Sequence, residues 1–163
     1  MLRFALFMLL TLHSVVSVGA TAEPPAEMAK WKAWILAGVP EHTCPYFGQT
    51  ADSKKCAWPG TLKLKIDGKG AAFTQTWTVF DDSWISLVGN EQLWPEGVNV
   101  YLNKKLQHPP AVLSHNGRPR VRLESGQYEV TGRLRWLKQP QSLPIPNDSA
   151  IIQLDINGKR VAL

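Results

Sequence analysis

Strict alternation of apolar and polar side chains between residues 61 and 80 constrains the fold more than any other feature of the sequence. Leu62, Leu64 and Ile66 alternate with lysines, and a second run alternates with threonines after a turn at residues 67–70. A period of two places successive side chains on opposite faces of an extended strand. A turn that contains Asp-Gly is typical of the connection between antiparallel strands. The segment therefore predicts a β-hairpin.

A second alternating segment follows later in the chain, with the sequence RPRVRLESGQYEVTGRLRW. A loop at residues 124–127 would place Leu123 opposite Tyr128 and Val121 opposite Val130. Both apolar sets then lie on one face of the paired strands. Pattern and register agree, so this segment predicts another hairpin.

Further short strands are predicted at residues 83–88, 98–102 and 150–156, and Asn157-Gly158 is a hairpin turn signal after the last of them. Gly132 falls on an inward face, which indicates a bulge or a close neighbour. Roughly seven to nine short strands with frequent turns predict a mainly β fold. We expect an antiparallel β-sandwich of jelly-roll or immunoglobulin-like topology.

The first 40 residues differ in character from the rest. Residues 1–22 contain an early arginine, an apolar run and a small-residue end, which is the pattern of a cleaved secretory signal peptide. The alternative is an uncleaved membrane anchor. Residues 23–40 show helical spacing of apolar side chains and predict one short N-terminal amphipathic helix followed by a linker. The β-sandwich domain is then expected at residues 41–163.

Export follows from this leader, because signal peptides direct proteins out of the cytoplasm. No later apolar run approaches the length of a membrane-spanning helix. We therefore expect a periplasmic or extracellular protein with no transmembrane span beyond the signal segment.

Cys44 and Cys56 are the two cysteines of the sequence. In an exported protein, two cysteines on either side of a short polar loop predict a disulfide. A metal site that includes His42 is a second interpretation, although it lacks a fourth ligand and the usual close spacing. A free Cys44 nucleophile served by a distant histidine is a third.

Catalytic motifs are mostly missing from the sequence. It contains no G-x-S-x-G, H-E-x-x-H, Walker or dinucleotide-binding motif. Asp81 and Asp82 would suit a carboxylate pair for glycoside hydrolysis, but adjacent acids between strands are typical turn formers. His108 and His115 fall in predicted loops. We therefore expect no enzyme activity, no cofactor and no bound metal.

Positive charge is concentrated in the second half of the chain. Residues 98–163 contain ten basic and four acidic side chains, whereas residues 23–97 contain seven and nine. Much of the excess lies on the outer face of the second predicted hairpin, where Arg118 would face Arg133 and Arg122 would face Glu129. The arginines of this predicted face are Arg118, Arg120, Arg122, Arg133 and Arg135.

Such a face suits an anionic glycan, a lipid headgroup or an acidic partner protein. The alternative is a solvated sheet face with no ligand. Nucleic acid is not expected, because the protein is exported and no aromatic side chain interleaves the arginines.

Tryptophan is frequent, with seven residues in the chain. Trp58 and Trp94 lie beside prolines in predicted loops, where an exposed ring can stack on a sugar or pack on a partner. The alternative is that both rings close the ends of the sandwich.

A set of cysteines, prolines, glycines and tryptophans carries a family resemblance. These residues are Cys44, Cys56, Trp58, Pro59, Gly60, Trp94, Pro95, Gly126, Gly132, Trp136, Pro144 and Pro146. Their order resembles the N-terminal region of large uncharacterised exported proteins of Gram-negative bacteria, over most of the mature chain. The resemblance implies a bacterial envelope location and a longer parent protein, and it implies no activity.

Three functions follow as hypotheses. The first is a non-catalytic β-sandwich module for interaction or scaffolding with another envelope protein, as the N-terminal part of a longer protein. The second is a carbohydrate- or polyanion-binding module that uses the loop tryptophans and the arginine face. The third is a hydrolase that uses Asp81 or Asp82 with a histidine, which requires those groups to converge in one pocket.

Overall fold

A computed structural model describes residues 25–36, 43–48, 53–149 and 151–162. The chain divides into two compact units, Met1–Val39 and Pro40–Leu163. The predicted signal peptide and most of the predicted linker lie outside the described residues. Among the helices that the structure describes, none is long and apolar enough to cross a membrane.

The described part of the first unit is a helix, α1 (Ala26–Leu36). The carbonyl of Pro25 accepts a hydrogen bond from the backbone N–H of Met28 at 2.8 Å, and the fixed backbone of proline suits the start of a helix. A short helix is therefore confirmed. It is not at the N-terminus of the chain, because it begins only at Ala26.

The second unit is mainly β, as predicted, with ten strands in its described residues. They are β1 (Ala57–Asp67), β2 (Gly70–Val79), β3 (Ser83–Ser86), β4 (Glu96–Leu102), β5 (Lys105–Leu106), β6 (Leu113–His115), β7 (Arg118–Leu123), β8 (Gly126–Arg135), β9 (Ile151–Ile156) and β10 (Lys159–Val161). Seven strands form a large sheet in the order β10-β9-β1-β2-β8-β4-β5, and three form a small sheet in the order β3-β7-β6.

The first predicted hairpin is confirmed as the antiparallel pair β1–β2, with Asp67 opposite Gly70. The Asp67 carboxylate stabilises the turn, because its Oδ1 accepts hydrogen bonds from the backbone N–H groups of Lys69 at 2.7 Å and Gly70 at 2.9 Å. This is the Asx-type bonding that favours aspartate at the start of tight turns.

The second predicted hairpin is wrong. β7 pairs with β3 and β6 in the small sheet, whereas β8 pairs with β2 and β4 in the large sheet. Leu123 therefore lies opposite Ser83, and Tyr128 lies opposite Trp77. The alternating pattern indicates which side chains are buried, but it does not indicate which strands pair. Two strands in different sheets show the same alternation as two strands of one hairpin.

One pair of strands departs from a purely antiparallel arrangement, because β1 and β9 run parallel, with Leu62 beside Ile152. β8 and β9 run in the same direction, since β8 is antiparallel to β2 and β2 is antiparallel to β1. A tight turn joins only antiparallel strands, so the connection must return along the sheet. The proline-containing segment 136–149 follows β8 and provides the length for this return, which allows the parallel pairing.

Buried side chains from both sheets belong to one hydrophobic core. Ile85 and Val121 of the small sheet, and Leu62 and Trp77 of the large sheet, are each no more than 2% exposed and lie in the same cluster. Gln75 is the buried polar side chain of this region, and its Nε2 donates to the Ser149 hydroxyl at 3.2 Å. The pairing satisfies a polar group that would otherwise destabilise the core.

Candidate functional site

The outer face of the small sheet gathers aromatic, cationic and polar side chains. Trp84 lies directly opposite Arg122, and Leu113 lies directly opposite Arg120. Directly paired residues of antiparallel strands point to the same side of the sheet. We call this surface the small-sheet face, and its residues are Trp84, Ser86, Leu113, His115, Arg118, Arg120 and Arg122.

Alternation along β7 explains why the arginines lie outside. Arg118 and Arg122 are exposed and Arg120 is half-buried, whereas Val121 and Leu123 between and beyond them are buried. A strand with one buried face exposes every second side chain. The sequence prediction that these three arginines share one face is therefore correct.

Arg122 is neutralised by a carboxylate. Its Nε donates to Asp82 Oδ1 at 2.9 Å, and its Nη2 donates to Asp82 Oδ2. The hydrogen bond to Asp82 and the attraction of its charge raise the pKa of Arg122. Asp81 instead stabilises the turn, because its Oδ1 accepts from the Asp82 backbone N–H at 2.8 Å. Asp81 therefore stabilises the turn and Asp82 binds Arg122. Neither aspartate lines the two described hollows that His115 lines, so the predicted combination of a carboxylate pair with a histidine is not found there.

Arg118 and Arg120 differ from Arg122, because neither forms an ion pair with a carboxylate among the described residues. Arg118 Nη1 lies 3.5 Å from Asn147 Oδ1, a weak contact at the limit of a hydrogen bond. The Nε of Arg120 is buried without a hydrogen-bond partner in the described part of the chain. The exposed guanidinium of Arg118 therefore retains donors for an external anion, and the half-buried Arg120 lines both neighbouring hollows although its Nε is buried.

Two neighbouring hollows open on the small-sheet face. One, of about 190 Å³, is lined by Trp84, Leu113, Ser114, His115 and Arg120. The other, of about 380 Å³, is lined by Ser86, His115, Asn116, Arg118, Arg120, Asn147 and Asp148. The first hollow is mostly apolar and the second is polar. His115 and Arg120 line both hollows, so the arginine lies at the boundary between them.

A tight hairpin fixes His115 beside Arg118. Asn116 and Gly117 both have positive φ, of 51° and 72°, and connect β6 to β7. This is the two-residue turn for which Asn-Gly is favoured. His115 was predicted as a loop residue, but it is the last residue of β6 and lies directly opposite Arg118.

Arg133 and Arg135 do not belong to this face, so the prediction of a single five-arginine surface is wrong. Both lie on β8 in the large sheet, where Arg133 is opposite Ala72 and Arg135 is opposite Gly70. Arg135 Nε forms an ion pair with Glu96 Oε2 at 3.1 Å. The predicted facing of Arg118 with Arg133 fails for the same reason as the hairpin: their strands are in different sheets.

The two predicted stacking rings, Trp58 and Trp94, are both half-buried. Trp58 Nε1 donates to the Lys55 carbonyl at 2.7 Å, and its ring meets the Phe47 ring edge to face at 5.8 Å. Trp84, at 46% exposure, offers more open ring surface on the small-sheet face. Its position was missed, although the alternation around Ile85 and Leu87 places Trp84 on the outward side.

The predicted disulfide is confirmed between Cys44 and Cys56, whose Cα atoms are 4.6 Å apart. Both sulfurs are therefore occupied, which excludes the metal-site and free-nucleophile interpretations for these residues in the oxidised protein. His42, the third residue of the predicted metal site, lies outside the described residues. Within the described residues, no group of three or more His, Cys, Asp or Glu side chains is placed to hold a metal ion.

Comparison of the chain with protein-family models, with curated proteins and with solved structures finds no match. The small-sheet face must therefore indicate a ligand through its own chemistry.

Proposed function

We propose that this chain is a non-catalytic, exported module of the bacterial cell envelope that acts in interaction or scaffolding, as the N-terminal part of a longer protein. The Cys44–Cys56 disulfide supports export, because disulfides persist in oxidising compartments and are rare in the cytosol. The resemblance of the sequence to the N-terminal region of large exported proteins of Gram-negative bacteria supports a location in the cell envelope and a longer parent protein.

The second unit is proposed to be a β-sandwich of jelly-roll or immunoglobulin-like type. Its support is the shared hydrophobic cluster, to which both sheets contribute buried side chains. In sheet-on-sheet packing the inner faces form the core and the outer faces remain in water. The small-sheet face is then an outer surface on a rigid support.

The ligand that this surface suits best is an anionic glycan. The observation that carries this proposal is that Trp84 and Arg120 line one hollow, while Arg120 and Arg118 line the next. An indole face packs on the C–H groups of a sugar ring. A guanidinium binds carboxylate, sulfate or phosphate oxygens through two parallel hydrogen bonds. The ring of an acidic sugar would pack against Trp84 in the apolar hollow, and its acidic group would bind the arginines of the polar hollow.

Binding of polygalacturonate, with neutral dextran as the control polymer, tests this proposal. The protein is expected to bind the acidic polymer, and binding should weaken with added salt because exposed charges are screened. Trp84→Ala and Arg118→Ala should each weaken binding by about tenfold, the usual scale for losing an anchor side chain.

Matched controls are available on other surfaces of the protein. Arg133→Ala removes an exposed arginine of the large sheet and should leave binding unchanged. Trp58→Ala and Trp94→Ala test the two half-buried rings, of which Trp58 lies in β1. Binding that survives loss of Trp84 and Arg118 but not loss of Arg133 would overturn the site. Failure to bind either polymer would contradict the proposal of a glycan ligand and leave a partner protein as the ligand.

A further inference from the structure

The disulfide-closed loop between Cys44 and Cys56 is a second surface with its own chemistry. Its described residues are 43–48 and 53–56. An antiparallel bridge joins Tyr46 to Lys54. The Phe47 N–H donates to the Ser53 carbonyl at 2.7 Å, and the Lys55 N–H donates to the Pro45 carbonyl at 3.0 Å. We call this segment the aromatic loop.

The aromatic loop is fastened to the end of β2. The Phe80 N–H donates to the Cys56 carbonyl at 2.8 Å, and the Thr43 hydroxyl donates to the Phe80 carbonyl at 3.3 Å. Cys44 itself is only 4% exposed. The covalent and hydrogen-bonded ties hold the base of the loop in place, so its side chains need little ordering when they bind.

Two large aromatic side chains of this loop lie in water. Tyr46 is 60% exposed and its neighbour Phe47 is 53% exposed. The half-buried Trp58 supports Phe47 from one side through the edge-to-face contact. Adjacent exposed aromatic rings on a fastened loop mark a contact surface, because apolar area in water is left unburied at a cost in free energy.

Two lysines accompany these rings. Lys54 Nζ lies 5.4 Å from the centroid of the Tyr46 ring, and Lys55 Nζ lies 5.2 Å from that of Phe47. Neither ammonium is paired with a carboxylate in the described part of the chain. Asp52 is the only carboxylate between the two cysteines in the sequence, so the loop has a net positive charge.

This combination discriminates between ligands. Sugar stacking needs an open aromatic face, but the Phe47 ring already has Lys55 over it and Trp58 against it. A membrane surface instead takes aromatic rings at the level of the headgroups, while lysines extend to the phosphates. Anionic lipids add attraction for each lysine near the surface.

We propose that the aromatic loop is a membrane-contact site that rests on an anionic phospholipid surface, with Tyr46 and Phe47 among the headgroups and Lys54 and Lys55 at the phosphates. This site is separate from the small-sheet face and does not depend on the glycan proposal. The proposed contact is with the surface of a bilayer.

Flotation with lipid vesicles tests the proposal, using protein purified after export by a bacterial host. The wild-type protein should float with vesicles of equal phosphatidylglycerol and phosphatidylcholine, and much less with phosphatidylcholine alone. Tyr46→Ser/Phe47→Ser should lower binding to the anionic vesicles by roughly tenfold, since apolar contact and charge both contribute to such binding. Lys54→Gln/Lys55→Gln should lower it by roughly tenfold and reduce its salt dependence.

Two control variants separate this loop from other exposed groups. Trp31→Ala/Trp34→Ala removes the exposed aromatic pair of α1, and Arg118→Ala removes a cation of the small-sheet face. Both should retain vesicle binding. The proposal is overturned if the wild-type protein floats with neither vesicle. It is also overturned if both loop variants bind like wild type, or if only a control variant loses binding. The lysine variant removes two positive charges from half-buried side chains and leaves both rings in place, so it decides the matter even if the aromatic variant fails to fold.

Discussion

The ring of Phe73 occupies the space that a side chain at position 132 would need. Gly132 lies directly opposite Phe73 in the β2–β8 pair, and a β-carbon built on Gly132 would be 2.5 Å from Phe73 Cζ. Phe73 is only 2% exposed, so its ring cannot move into solvent without leaving the core. The close neighbour that the sequence predicted at this inward glycine is therefore an aromatic ring of the adjacent strand.

Gly132→Ala should lower the free energy of unfolding by about 1–3 kcal/mol, the usual cost of overpacking a core. Urea denaturation measures this. Gly68→Ala is the matched control, because a β-carbon there meets no atom within 4 Å. Phe73→Leu combined with Gly132→Ala should recover part of the loss. Equal stability of the Gly132 and Gly68 variants would contradict the steric argument.

Reduction of the Cys44–Cys56 disulfide should lower the free energy of unfolding by up to about 3 kcal/mol, because the crosslink restricts the unfolded chain over a short loop. Thermal unfolding with and without dithiothreitol measures the change. A chelator should have no effect on the oxidised protein. Destabilisation by the chelator without reductant would point to a bound metal.

Alkaline pH should destabilise the protein through Tyr128. Burial raises the pKa of its phenol above the ordinary value, and the charges of Glu124 and Asp82 add to the shift. The unfolded phenol therefore ionises first, so its stabilising contribution is complete below about pH 10 and is lost as pH rises through the raised pKa. Urea denaturation in this range should show a smaller decline for Tyr128→Phe. An identical decline in both proteins would assign alkaline unfolding to other groups.

Ser149→Ala should destabilise the protein by about 1–2 kcal/mol, because it leaves the buried Gln75 amide without the hydroxyl that accepts its hydrogen bond. Gln75→Leu combined with Ser149→Ala should be milder than Ser149→Ala alone, since both polar partners are then removed. A double-mutant cycle from chemical denaturation measures the coupling. Simple additivity of the two changes would show that the contact contributes nothing.

Local features of the fold were predictable from the sequence, and non-local ones were not. The β1–β2 hairpin was predicted because its alternation and its turn lie within one short segment. The partners of β7 and β8 were missed, because burial periodicity is identical whether a strand pairs within a hairpin or across the chain. The parallel β1–β9 pair was missed for the same reason, as Leu62 and Ile152 are neighbours only in three dimensions.

The candidate site was predicted in part. The three arginines of β7 share a face because of strand periodicity alone, which the sequence displays. Their separation from Arg133, and the neutralisation of Arg122 by Asp82, depend on which strands pair. Trp84 was predictable from the outward position it shares with Ser86, whereas the contact between Arg118 and Asn147 joins segments that no local pattern relates.

The parallel neighbour of β1 has a consequence for biogenesis. A chain leaves the ribosome from its N-terminus, so β1 and β2 emerge early and can pair at once, while the other edge of β1 remains unpaired until β9 is made. During that interval β1 presents an open row of backbone donors and acceptors, which is the kind of edge that recruits strands from other chains. Newly made molecules should therefore depend on chaperones until the last strands have emerged.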